Sequence, residues 1–283
     1  MKFETYHTSR KDSLSISFLY STLPGRIVLR LLIKPTVSKF PGFLMNTGIS
    51  KIYIRRFIKV NNIDLSEYRS VKYKSFNDFF IRGLKDGARP ISANPQDVIS
   101  PCDGKLSAYK IQADNVFHIK KSMYDISSLI KDEELAAEFV GGTCLIFRLM
   151  PNDYHRYCFI DDGKIVSWKR IKGVLHTVRP IAFKRYSIYT QNSREYVVLD
   201  TKNFGKVIQM EVGALFIGRI TNDMGISEFT RGQEKGYFEF GGSTIVMLFQ
   251  ANKVKVDETI YKNTKLNFET VIKMGNVIGS KVE

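Results

Sequence analysis

An aspartate, a histidine and a serine stand out in this 283-residue chain, each inside a short cluster of the kind that turns and active sites share. The first cluster is Ser100-Pro101-Cys102-Asp103-Gly104. The second is Met150-Pro151-Asn152-Asp153-Tyr154-His155-Arg156, and the third is Phe238-Glu239-Phe240-Gly241-Gly242-Ser243-Thr244. Asp103, His155 and Ser243 are the residue types that activate a hydroxyl: an imidazole holds the serine proton while a carboxylate fixes its tautomer. Each cluster also has a plainer explanation. Asp103-Gly104 reads as a tight turn, His155 as a satisfied, partly buried histidine, and Gly241-Gly242-Ser243 as a turn entering a strand. A G-x-S-x-G nucleophile elbow is absent, because Thr244 and Ile245 follow Ser243, so an ordinary serine hydrolase is weakly supported.

The elements that must position these residues form an α+β pattern. Ser75 and Asp78 have Ser-x-x-Asp spacing and predict a helix start. The run Phe76 to Leu84 then gives way to a linker marked by Gly87, Pro90, Asn94 and Pro95. From Val98 onward the period is mostly two. Ile208, Met210 and Val212 alternate with Val207, Gln209 and Glu211, and Thr143 to Met150 and Thr244 to Phe249 are short apolar runs. Asp103-Gly104, Asp162-Gly163 and Asn203-Phe204-Gly205 are hairpin-turn signals. Short helices are expected at Ser122 to Leu129 and Asp132 to Glu138. The division is a helical, basic segment over 1–74 and a β-rich domain over 75–283.

Lys and Arg number 43 against 28 Asp and Glu, a net charge of +15, and 43% of residues are hydrophobic, which excludes a disordered or low-complexity protein. Eleven of the cations lie in residues 1–60 against only Glu4 and Asp12. A helix beginning after Leu23, with Pro24 in its first turn, places Arg26, Arg30 and Lys34 on one stripe and Ile27, Val28, Leu31 and Leu32 beside it. Lys51, Arg55 and Lys59 with Ile54, Phe57 and Ile58 repeat the arrangement. Such a face suits a helix lying in the headgroup plane of a membrane, and equally two helices packed on the protein's own core. Nucleic-acid binding is a third reading that the pI near 9.6 permits, but no helix-turn-helix, RNP or zinc-finger signature supports it. The apolar stretch Ile16 to Ile33 is broken by Pro24, Gly25, Arg26 and Arg30, so no membrane span is expected. Cys102, Cys144 and Cys158 are too few and too irregularly spaced for a zinc site or a disulfide framework, and no signal peptide is read, which predicts a reducing, cytoplasmic setting.

Seven blocks in this order resemble the phosphatidylserine decarboxylases, a family that makes its own pyruvoyl cofactor. They are Phe79-Phe80-Ile81-Arg82-Gly83-Leu84-Lys85-Asp86-Gly87-Ala88-Arg89-Pro90, Ser100 to Leu106, Ile119 to Leu129, Leu149 to Arg156, Gly173 to Pro180, Val212 to Ile220, and Lys235-Gly236-Tyr237-Phe238 running into Gly241-Gly242-Ser243-Thr244. The resemblance implies self-cleavage between Gly242 and Ser243, giving a β chain of residues 1–242 and an α chain of residues 243–283 that stay together as a heterodimer. Whether such pairs assemble further is left open. It implies that the Ser243 hydroxyl attacks the preceding carbonyl and that the ester eliminates to dehydroalanine, which hydrolyses to a covalent pyruvoyl group. Phosphatidylserine's amine would then form a Schiff base with that ketone, lose CO2 and leave as phosphatidylethanolamine, without metal or pyridoxal phosphate. The implied setting is peripheral, on the cytoplasmic face of the cell membrane, with phosphatidylserine in an anionic bilayer as partner and no nucleic acid.

One position departs from the family pattern. Many members carry Tyr-His-Arg-x-His, whereas this chain has Tyr154-His155-Arg156-Tyr157-Cys158. The base for self-cleavage is therefore assigned to His155, oriented by Asp103, with His176 and Cys158 as reserve candidates. Two other readings compete: a membrane-binding homologue that has lost the chemistry, and a serine hydrolase using Asp103, His155 and Ser243 without cleavage.

Overall fold

The computed structural model describes residues 3–7, 13–114, 116–119, 122–183, 185–215, 219–241 and 243–282. Its centre is a nine-stranded antiparallel sheet. In order across the sheet the strands are Thr5–His7, Phe268–Ile272, Gly104–Lys110, Thr143–Leu149, Ser243–Phe249, Gly205–Val212, Arg194–Thr201, Gly163–Ile171 and Glu228–Phe229. The two-residue period sorts the central strand onto two faces. Ile245, Met247 and Phe249 join one core with Leu145, Phe147 and Leu149, whereas Val246 and Leu248 join the other with Cys144 and Ile146. Both faces are covered, so the Ser243–Phe249 strand is buried along its whole length.

Two three-stranded sheets flank the large one. Ile220–Asn222, Glu234–Phe238 and Arg156–Cys158 form the first, and Val254–Val256, Val277–Lys281 and Asp97–Ile99 the second. Asn203-Phe204-Gly205 closes a hairpin between neighbouring strands, with Gly205 at φ 69°. The other two turn signals do not close hairpins. Asp103-Gly104 and Asp162-Gly163 instead lie where the chain passes from a small sheet into the large one. The expected helix at Ser122 to Leu129 is also shorter. Ser122–Asp125 pairs with Val116–Ile119, and Asp125 then caps a helix over Ile126–Ile130 by accepting from Ser127 N and Ser128 N. The second expected helix forms over Glu133–Ala137 with Asp132 as its cap.

Four helices open the chain: α1 (Leu14–Ser21), α2 (Leu23–Leu32), α3 (Pro35–Met45) and α4 (Ile52–Asn61). Thr22 accepts from Gly25 N and starts α2 with Pro24 in its first turn. The backbones of α1 and α2 meet at Gly25, where a Cβ would lie 2.1 Å from the Phe18 carbonyl oxygen. The segment is not wholly helical, since Thr5–His7 pairs with Phe268–Ile272 at the sheet edge. Leu19, Tyr20 and Leu29 bury against Val178, Ala182, Ile188 and Leu215, and that contact docks α1 and α2. Phe57 docks α4 edge-on against Phe76, with ring centroids 5.0 Å apart. A short helix, α5 (Phe76–Phe80), begins where Ser75 caps Asp78 N.

Candidate active site

Ser243 is the first residue of its strand and faces Leu149 across the ladder. Immediately after Leu149 the chain turns. Asp153 ties that turn by accepting from Met150 N at 2.7 Å while its own N–H donates to the Met150 carbonyl at 2.9 Å. Lys105, 3.6 Å from the Asp153 carboxylate, and Arg82, which donates to the Asn152 and Asp153 carbonyls, hold the same turn from outside. Two residues further on, His155 is delivered beneath the serine.

Ser243 Oγ lies 3.3 Å from His155 Nδ1, and both residues are fully buried. The other ring nitrogen, Nε2, lies 3.0 Å from the Met150 carbonyl oxygen. A carbonyl only accepts, so Nε2 carries the proton and Nδ1 presents a lone pair to the serine hydroxyl. Burial and the nearby Arg82 guanidinium push the imidazole down to about 3, against the stabilising pull of the Met150 carbonyl, so the ring is neutral at pH 7. The Phe80 ring packs on the imidazole with centroids 4.1 Å apart and fixes its plane. A serine hydroxyl beside a neutral, correctly tautomerised imidazole can be deprotonated as it attacks an adjacent carbonyl.

Asp103 does not orient the imidazole. Its carboxylate is taken by Arg89, through Nε at 3.0 Å and a terminal nitrogen at 2.7 Å, and by Met274 N at 2.8 Å. The bidentate pair is preferred because a guanidinium matches a carboxylate in both hydrogen bonds and charge. The orienting role on the ring therefore falls to the Met150 backbone. Arg89 also pairs with Glu67 at 2.9 Å, so Asp103 ties the linker to the Met274 turn. Gly104, which follows it, abuts the Arg148 backbone: a Cβ there would meet the Arg148 carbonyl oxygen at 3.0 Å.

The reserve candidates sit elsewhere. Cys158 is buried with its thiol pushed up to about 12, chiefly by burial, so it stays protonated at neutral pH. His176 Nδ1 is 3.2 Å from the Tyr20 hydroxyl, and its ring stacks on Tyr186 at 4.1 Å. Gly242 lies outside the described residues. Among the described residues no group of three or more His, Cys, Asp or Glu side chains is placed to hold a metal ion.

Sequence reasoning missed Arg89, Arg82, Phe80 and the Met150 carbonyl. The first three lie in the Phe79 to Pro90 block, where residue type and spacing alone assign no role. A backbone carbonyl leaves no trace in residue type.

A family model described as Phosphatidylserine decarboxylase matches residues 76–280. The chain is 49% identical over 277 residues to "Phosphatidylserine decarboxylase proenzyme 2" of Clostridium acetobutylicum, covering 98% of this chain and 95% of that one. It is 42% identical to a phosphatidylserine decarboxylase proenzyme of Clostridium botulinum, covering 94% and 92% of the two chains. With a proenzyme of that name from Ruminiclostridium cellulolyticum it shares 40% identity, covering 95% and 91%. Those matches span the helical segment as well as the sheet that carries Ser243 and His155, and the chain belongs to the phosphatidylserine decarboxylase family.

Proposed function

We propose that the chain is a self-cleaving phosphatidylserine decarboxylase proenzyme whose Ser243 becomes the pyruvoyl group. The observation that carries this reading is the 3.3 Å approach of Ser243 Oγ to an unprotonated His155 Nδ1. In the first step Oγ bonds to the Gly242 carbonyl carbon as Nδ1 takes its proton. The C–N bond then breaks and the nitrogen is protonated, leaving an ester between residues 242 and 243. Loss of the Ser243 Cα proton with departure of the Gly242 carboxylate leaves dehydroalanine. Adding water and losing ammonia turns that group into the pyruvoyl end.

The surroundings fit such a group. Ser243 begins a strand hydrogen-bonded on both sides, so the new N-terminus would be held in place after the break. The pyruvoyl ketone would supply the electron sink for the pair released with CO2. His155, with Phe80 on its ring, is placed to move the protons at this atom. Asp103 is a positioning residue, acting through Arg89 and through the Gly104 backbone that backs the Arg148–Leu149 strand.

Residues 1–74 are read as the membrane-facing part, bound peripherally at the cytoplasmic face, and residues 75–283 as the decarboxylase domain. Leu14, Leu23, Ile27, Leu31, Phe43, Ile49 and Ile52 are exposed on the first four helices or the short turn before α4, amid Arg30, Lys34, Lys51 and Arg55. Among the described residues no helix is long and apolar enough to cross a membrane, and an exposed apolar face bordered by cations suits an anionic lipid surface.

Intact-mass measurement tests the reading. The purified protein should give two chains, 1–242 and 243–283, the smaller without a free N-terminal amine, and Ser243→Ala should remain one chain. A preparation active on phosphatidylserine yet made only of the 283-residue chain would overturn it.

A further inference from the structure

A cavity of about 510 Å³ lies between α3 and the end of the large sheet, outside the Ser243–His155 pair. Its floor includes Gly213, which follows Val212, and Val212 pairs with Thr244, so the floor reaches the strand position beside Ser243. Glu239, four residues before Ser243, forms part of the wall. Gly42 and Phe43 of α3, with Asn46 just after it, also line the cavity, and Phe43 is 69% exposed. The cavity thus runs from the apolar helical face toward the reactive serine.

Three arginines line it, and they are not equivalent. Arg194 is committed, its guanidinium donating to the carbonyls of Ser128, Leu129, Thr190 and Asn192. Arg170 meets Glu195 through Nε at 3.1 Å with its side chain 63% exposed. Arg219 is exposed and makes no ion pair within 4 Å among the described residues, although its charge acts on Glu239. Two guanidiniums with unused donors at the mouth of a cavity are a match for a tetrahedral anion bearing two equivalent oxygens. Two carboxylates share the lining: Glu195, already held by Arg170, and Glu239, which lies four residues before Ser243.

We propose that this cavity receives the substrate headgroup, with Arg170 and Arg219 clasping the phosphodiester while the amine points along Glu239 toward residue 243; this rests on the decarboxylase reading above. The order of charges selects the orientation. An anion held at the two arginines leaves the ammonium nearer Glu239, and the apolar tails leave past Phe43 toward the lipid-facing helices. Burial pushes the Glu239 carboxyl up, with Arg219 and Asn46 pulling it back, which improves it as an acceptor for the proton the amine must lose.

The test uses matured enzyme and phosphatidylserine dispersed in neutral detergent micelles, which removes the electrostatics of an anionic membrane. The double variant Arg170→Gln/Arg219→Gln should self-cleave to completion by mass and show KM raised on the order of tenfold or more, with kcat within about twofold. Glycerophosphoserine should inhibit the wild type, with inhibition weakened in the variant by a similar factor, and Arg219→Lys should recover part of the loss. Inorganic phosphate at the same concentration should inhibit far less, since it lacks the serine. An unchanged KM in the fully matured double variant overturns the proposal, as does inorganic phosphate competing as well as the diester. A wild type that matures but does not decarboxylate phosphatidylserine would defeat the decarboxylase reading instead, a result separate from either of these.

Discussion

The strand ladder around Ser243 and the four helices at the N-terminus treat charge and apolar surface in opposite ways. Inside the ladder, charges are buried and paired. Lys235 donates to Glu211 at 2.7 Å with both side chains almost fully buried, and Arg148 is paired with Glu269. Burial pushes the Glu211 carboxyl up and the Lys235 ammonium down, and their mutual attraction opposes both shifts. Along the helices the reverse holds. Residues 13–63 contain no Asp or Glu, and Arg26, Arg30, Lys34, Lys51, Arg55 and Lys59 make no ion pair among the described residues. Exposed Ile27 and Leu31 stand on the same helix as Arg26 and Arg30. The sheet that holds one hydroxyl against one imidazole buries its charges in pairs, whereas the helical surface proposed above to meet anionic lipid leaves its charges unpaired.

The comparison breaks first at His155. His155→Ala should slow self-cleavage by about 10²- to 10⁴-fold, read as one uncut chain after overnight incubation. Because the imidazole's folded value is depressed to about 3 from 6.5, the wild-type base is already unprotonated at pH 5. Maturation of freshly translated chain should therefore show no inflection near pH 6.5 and fall only as the pH approaches 3. The same depression means that the native state binds fewer protons than the unfolded chain below 6.5. Stability from this residue is present above 6.5 and is lost as the pH falls toward 3. An inflection in maturation near 6.5 would place the base on a solvated histidine.

Removing one partner of the buried pair tests the other side of the ladder. Lys235→Met strands the Glu211 carboxylate and should cost about 3–5 kcal/mol in urea unfolding. A loss under about 1 kcal/mol would mean that Glu211 is already neutral. The helical region should respond to charge without responding in stability. Reversing Arg26, Arg30, Lys51 and Arg55 should weaken binding to anionic vesicles by about 1 kcal/mol or more per site, leaving self-cleavage and the urea midpoint in place. Unchanged vesicle binding would return these helices to a packing role. The smallest effect is expected at Cys158, where a thiol held near 12 takes no proton from Ser243, so Cys158→Ser should mature at the wild-type rate.

Much of the site was legible because it is built from local sequence with a fixed period. The short apolar run Thr244 to Phe249 put a strand directly after Ser243, and Ser75 announced α5 by its spacing to Asp78. Pro24 and the four-residue spacing of Arg26 and Arg30 marked α2, but the helix ends at Leu32, so Lys34, expected on the same stripe, instead takes the N-cap position of α3 ahead of Pro35. The turn signals were less faithful. Asp-Gly specifies a backbone bend but not which sheet receives the next strand, and at Asp103 and Asp162 the chain changes sheets.

Sequence by itself determined the apolar strand that follows Ser243 and the excess of cations at the N-terminus, since these follow from side-chain type and short-range spacing. Asp103, His155 and Ser243 stood out as a group only through the resemblance of their clusters to the family. Only the tertiary structure decided who holds whom. Asp103 faced a choice between an imidazole and a guanidinium, and Arg89, fourteen residues earlier, took it with two hydrogen bonds. His155 was left to the Met150 carbonyl, five residues away, which fixes the tautomer that leaves Nδ1 open to Ser243. The burial of Lys235 on Glu211 and the cavity between α3 and Gly213 were decided at the same level. Each joins segments distant in the chain, and burial strengthens such pairings by removing the water that would otherwise satisfy each group separately.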